Sequence, residues 1–120
     1  MHEIVFYQDN KGRQPVLEYM RALKESNSKD SRIKLNKIND YIQALAVYGT
    51  EGLSETYVKH LDGDIWELRP IRDRILFAAF VNGRYVLLHH FMKETQKTPR
   101  REIEKAKREL EDFIARADFR

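Results

Sequence analysis

Apolar positions along the chain switch between two spacings, and the switches divide it into seven predicted elements. Residues 3–7 (Glu-Ile-Val-Phe-Tyr) carry the β-branched and aromatic types of a short strand. Pro15 suits the first turn of a helix, where its missing N–H has no partner to lose. Val16, Leu17, Met20 and Leu23 then recur at helical spacing. Ser26 to Ser28 break this helix. A second one follows, with Leu35, Ile38, Ile42 and Leu45 on one stripe and Gly49 at a natural stop.

Three strand-like runs come next: Ile65 to Arg69, Arg74 to Val81 and Arg84 to Phe91. Pro70-Ile71-Arg72-Asp73 separates the first pair and Asn82-Gly83 the second. Asn-Gly between alternating apolar runs predicts a tight hairpin, because both residues accept positive φ. Met92 to Lys97 is a polar connection. Thr98 as N-cap and Pro99 at the first position then open a last helix, striped by Ile103, Ala106, Leu110 and Phe113. The order β-α-α-β-β-β-α predicts an α+β fold, an antiparallel β-sheet flanked by two N-terminal helices and a C-terminal helix. No repeat or Gly/Pro/Ser-rich linker interrupts residues 1–120, so one domain is expected.

A two-residue turn at Asn82-Gly83 would pair Val81 with Arg84, Ala79 with Val86, Phe77 with Leu88, Leu76 with His89 and Arg74 with Phe91. A four-residue loop at 70–73 would pair Arg69 with Arg74, Leu68 with Ile75 and Trp66 with Phe77. Opposed residues share a face. One face then gathers Trp66, Leu68, Ile75, Phe77, Ala79, Val81, Val86 and Leu88 as the core side. The other gathers Glu67, Arg69, Arg74, Leu76, His89 and Phe91. His90 falls on the core side as a packing residue.

Composition narrows the chemistry. The absence of cysteine excludes disulfides, thiol catalysis and Cys-ligated metals. His2, His60, His89 and His90 show no metal-ligand spacing with the acidic residues, so neither metal nor cofactor is expected. No apolar run is long enough to span a bilayer and no signal stretch opens the chain, which suggests the cytoplasm.

The net charge of +3 is unevenly distributed. Residues 1–68 carry −2 and residues 102–120 carry −1. Residues 69–101 carry +6, from Arg69, Arg72, Arg74, Arg84, Lys93, Lys97, Arg100 and Arg101 against Asp73 and Glu94. Such a patch attracts polyanions, above all nucleic acid.

Two arginines opposed on one sheet face need an anion between them. Glu67 can supply it internally, as an Arg–Glu–Arg cluster, or a phosphate can, bound by the guanidinium forks. Lys93 and Lys97 are placed near the same strand ends, giving more cation than one carboxylate neutralises, which favours the phosphate. His89, diagonal to Arg74, is a candidate for proton transfer.

The landmarks Trp66-Glu67-Leu68-Arg69, Arg74-Ile75-Leu76, Leu88-His89-His90-Phe91-Met92-Lys93 and Thr95-Gln96-Lys97-Thr98-Pro99, followed by Arg101-Glu102-Ile103-Glu104-Lys105-Ala106, are familiar together. The chain resembles the HigB-type branch of the RelE/ParE toxin superfamily, sharply over residues 59–113 and in outline elsewhere. The resemblance implies a RelE-like fold and a toxin of a type II toxin–antitoxin system. Such a toxin is an mRNA interferase, cutting messenger RNA on the ribosome without metal and arresting growth. It further implies a helix-turn-helix HigA-type antitoxin, contact with operator DNA only through that antitoxin, and no membrane.

Carried over by position, Arg69, Arg74, Lys93 and Lys97 match the family's basic positions and His89 a catalytic or positioning one; the expected catalytic set is Arg69, Arg74, His89 and Lys93, and the expected RNA contacts are Arg72, Lys97, Arg100 and Phe91. Phe91 or Tyr85 would either stack on a base or serve as ordinary packing, the second being the favoured reading. Two other functions remain open on the same fold: non-enzymatic inhibition of DNA gyrase, as in ParE, and RNA binding without catalysis.

Overall fold

The computed structural model describes residues 1–117. The elements are β1 (Ile4–Phe6), α1 (Pro15–Glu25), α2 (Lys29–Tyr48), β2 (Val58–Asp62), β3 (Ile65–Leu68), β4 (Asp73–Phe80), β5 (Arg84–Met92) and α3 (Arg100–Arg116). The predicted helices and strands are all present. β2 is an addition: its short run, with Lys59 and His60 exposed, has little apolar signal because it is an edge strand.

The strands form one sheet in the order β1-β5-β4-β3-β2. The sheet is mixed, not purely antiparallel, since β1 runs parallel to β5 through Ile4↔Tyr85, Val5↔Val86 and Phe6↔Leu87. Parallel neighbours need a long crossover, and everything from α1 to β4 serves as one.

The helix ends follow local chemistry. Pro15 opens α1, and the Ser28 hydroxyl accepts the Ser31 N–H to cap α2. Gly49 ends α2 at φ 66°, with its N–H bonded to the Leu45 carbonyl. A Cβ at Gly49 would lie 2.8 Å from His2 Nε2 and 3.1 Å from the Tyr85 hydroxyl, so shape as well as φ requires glycine there. α3 starts one residue later than expected. Pro99 occupies the N-cap without a side-chain bond, and the Thr98 hydroxyl donates instead to Glu67 Oε1 at 2.6 Å.

The register is correct at one end of the hairpin and wrong at the other. Trp66↔Phe77 and Leu68↔Ile75 pair as expected, as do Leu76↔His89 and Arg74↔Phe91. At the turn, Asn82 and Gly83 do take positive φ, but the connection is Val81-Asn82-Gly83, closing on Phe80↔Arg84. The three-residue loop shifts the pairs by one, so Phe77 opposes Leu87. A bulge that leaves Leu88 without an opposite partner then restores the expected register.

Both faces of the sheet are consequently buried, where one core face was expected. Leu68, Ile75, Phe77, Tyr85 and Leu87 pack with Val16, Leu23, Ile38 and Leu45 under α1 and α2. Leu76, Ala78, Val86 and Leu88 pack with Ala106 and Leu110 under α3. Val86 and Leu88 thus lie on the face opposite to the one expected, while Ala79 and Val81, expected in the core, are exposed at the hairpin end. Among the described residues, no helix is long and apolar enough to cross a membrane.

Candidate functional site: a cation-lined cavity

At the far end of the hairpin, where the expected register holds, the C-terminal end of β3, the start of β4, the end of β5 and the first turn of α3 surround a cavity of about 380 Å³. Four of the expected basic residues line it: Arg69, Arg74, Lys93 and Lys97. Phe91 does so as well. They come from separate segments, brought together by the pairing of β4 with its two neighbours.

Arg74 is 5% exposed. Its Nη1 donates to the Ile71 and Asp73 carbonyls at 2.9 and 2.8 Å, which fixes the guanidinium against the loop before β4. Burial pulls its pKa below the usual arginine value, against the opposing effect of Glu67. Arg69 lies just beyond the ladder, which ends at Leu68↔Ile75, so the expected Arg69–Arg74 strand pair does not form. Arg69 Nη1 donates to the Glu55 carbonyl at 2.7 Å, and its buried Nε has no hydrogen-bond partner among the described residues.

Glu67 is 3% exposed and sits between the two arginines. Its Oε2 is 3.5 Å from Arg69 Nε and 3.9 Å from Arg74 Nε, while Oε1 accepts from Thr98. The internal Arg–Glu–Arg cluster is therefore real, but it leaves cations over. The lining holds five basic side chains and three carboxylates, and the Lys93 and Lys97 ammonium groups make no ion pair with described residues.

The other expected site residues are placed elsewhere. Arg72 lies outside the cavity; its Nη2 donates to the Lys93 carbonyl at 3.2 Å, and it borders a neighbouring groove with Ile33, Ile71 and Met92. Arg100 faces away, 2.7 Å from both Asp62 and Glu104. Tyr85 is a core residue whose hydroxyl accepts the Thr50 N–H, so it is not available for stacking on a base.

His89, at 1% exposure, is not part of the lining. Its Nδ1 lies 2.5 Å from Glu109 Oε1 and its Nε2 3.0 Å from Glu102 Oε1. His90 packs as expected, stacked on Tyr19 with ring centroids 3.6 Å apart, and its Nε2 is 2.8 Å from Asp73 Oδ1. Among the described residues no group of three or more His, Asp or Glu side chains is arranged to hold a metal ion.

Among the charged lining residues, sequence reasoning missed three as site residues: Glu94, Arg101 and Glu102. A signal for Glu102 was present. Positions 102, 106, 109 and 113 share the helix face that carries Ala106 and Phe113, so two glutamates stand in the buried stripe of α3 and call for a polar partner on the sheet.

The family described as phage derived protein Gp49-like (DUF891) matches residues 18–111. The chain belongs to the Gp49-like family. That match spans α2 to β5 in full, most of α1 and most of α3, and so includes every residue that lines the cavity. No curated protein matches the chain.

Proposed function

We propose that this Gp49-like protein is a ribosome-dependent mRNA endonuclease, the toxin of a type II toxin–antitoxin system, with a RelE-like fold of the HigB type. The observation that carries the reading is the convergence of Arg69, Arg74, Lys93 and Lys97 on one cavity, where the two ammonium groups make no ion pair with described residues. A phosphodiester supplies the anion that this surplus lacks.

In the proposed reaction a ribose 2′-hydroxyl attacks the adjacent phosphate in line. Arg69 and Arg74 hold the charge that develops on the phosphoryl oxygens, Arg74 already oriented by its two carbonyl contacts. The Lys93 ammonium protonates the leaving 5′-oxygen, Lys97 binds the neighbouring phosphate, and Phe91 offers a ring edge to a base. The ribosome presents the mRNA in a reactive geometry, so few protein groups suffice. The proposed partner is a helix-turn-helix HigA-type antitoxin in the cytoplasm, reaching operator DNA through that protein alone.

The test is induction in growing cells with transcript 5′ ends mapped by primer extension. Translation-dependent cuts that disappear in Arg74→Ala are expected. Growth arrest without any cuts would refute the proposal, and loss of supercoiling activity by gyrase in the presence of purified protein would replace it.

A further inference from the structure

α3 presses two carboxylates against the single buried histidine of β5. Glu102 and Glu109 lie two turns apart on one helix face, and their Oε1 atoms take the two ring nitrogens of His89 at 3.0 and 2.5 Å. Carboxylates on both nitrogens require two protons to be shared among the three groups, so the imidazole is fixed in position and orientation from both sides. A buried charged cluster of this kind gives little stability over an apolar replacement. It stands where α3 meets the cavity, and one of its members, Glu102, is part of the lining.

The three carboxylates of the lining differ in what they are free to do. Glu67 is buried at 3% exposure, with Oε1 bound by Thr98 and Oε2 serving as counter-ion between two guanidinium groups at 3.5 and 3.9 Å. Glu94 is exposed, and among the described residues nothing orients it. Glu102 has Oε1 anchored on His89, while Oε2 has only a loose 3.7 Å contact to Arg101 Nε. It is an oriented carboxylate with one oxygen available. We infer that Glu102 is the general base of the cavity and that His89, backed by Glu109, is its positioning residue.

This inference rests on the ribonuclease reading. As the O2′–P bond forms and the P–O5′ bond breaks, Glu102 takes the 2′-hydroxyl proton and Lys93 gives its proton to O5′. A 2′,3′-cyclic phosphate and a 5′-hydroxyl result, and exchange with solvent resets both side chains. The titratable and charged groups around Glu102 are His89 from β5, Arg101 and, through His89, Glu109 from α3, Glu67, Arg69 and Arg74 from the sheet, and Lys93, Glu94 and Lys97 from the connection.

The test is single-turnover cleavage of mRNA on programmed ribosomes across a pH series. Binding of a 2′-O-methyl mRNA that cannot be cut is measured in parallel. Glu102→Gln is expected to lower the cleavage rate about 10²- to 10⁴-fold, leave binding within about threefold, and remove the acid limb of the rate profile. His89→Gln is expected to cost less, about tenfold, and to keep that limb at a shifted position, since the base is present but loosely held. Lys24→Ala, exposed on α1 and outside the cavity, is the unaffected control.

Should Glu102→Gln not fold, Glu102→Asp serves instead: a retracted carboxylate that slows cleavage while preserving the acid limb. A Glu102→Gln rate within about threefold of wild type, or a loss confined to binding, would overturn the assignment and leave the ribonuclease reading intact. Wild-type protein that never cuts would overturn both.

Discussion

Removing one oxygen, the hydroxyl of Tyr19, should cost this fold more than most surface substitutions. Tyr19 OH on α1 donates to Asp73 Oδ1 at 2.8 Å, and His90 Nε2 meets the same oxygen at 2.8 Å. Asp73 is 2% exposed at the first position of β4, one residue before Arg74. Burial alone would raise its pKa, but the His90 and Tyr19 hydrogen bonds outweigh that and hold the carboxyl below its usual value. Burial, then Asp73, push the Tyr19 phenol above its ordinary pKa, so it remains a donor at any working pH.

Tyr19→Phe keeps the ring stacked on His90 and removes only the donor. A hydrogen bond to a buried charge contributes about 1.5–3 kcal/mol, and for a chain of this length each kcal/mol moves Tm by about 3–6 °C. The expected loss at pH 7 is therefore about 2 kcal/mol and about 6–12 °C.

Urea unfolding followed by the fluorescence of Trp66, the only tryptophan, measures it. Because the folded-state pKa of Asp73 is lowered, its contribution is complete above the unfolded carboxyl value of about 3.9 and disappears as pH falls through the lower folded value. The gap between wild type and Tyr19→Phe should narrow over that acidic window. In an Asp73→Asn background it should shrink to about 1 kcal/mol, the size of a neutral bond. A loss under about 0.5 kcal/mol at pH 7, or an undiminished one in the Asn background, would refute the argument.

Other expectations concern the site and the core. Arg74→Ala should lower cleavage about 10²- to 10³-fold, and Arg74→Lys should recover only part, since a point charge does not reproduce the fork; rates with purified ribosomes check both. Lys97→Ala should weaken RNA binding with a shallower salt dependence, by about one unit of slope or less, read from titrations at several salt concentrations. Phe77→Ala, fully buried between α1 and α2 on the sheet's first face, should cost about 3–5 kcal/mol in urea melts. Gly49→Ala should destabilise by more than 1 kcal/mol in the same assay, because its Cβ meets His2 and Tyr85 and its φ is positive.

The sequence alone determined what is local. Helical spacing located α1, α2 and α3, Gly49 marked a stop, and Asn82-Gly83 marked a turn with positive φ, because these depend on neighbours within a few residues. The length of the 70–73 loop also set the Leu68↔Ile75 pairing, which brings Arg69 and Arg74 to one end of the sheet; Lys93 and Lys97 reach that end because the bulge in β5 cancels the shift made by the three-residue turn.

Tertiary structure decided the rest. One extra loop residue and one bulge reassigned Val86 and Leu88 to the other face, and two-state alternation cannot register either event. β1 joined β5 in parallel through pairs eighty-one residues apart. The role of His89 changed most: strand register placed it opposite Leu76 as expected, but only the packing of α3 could show that it lies outside the cavity lining, enclosed by Glu102 and Glu109. Burial and hydrogen bonding are properties of what lies opposite a side chain, and for His89 that partner is a helix that begins eleven residues further along the chain.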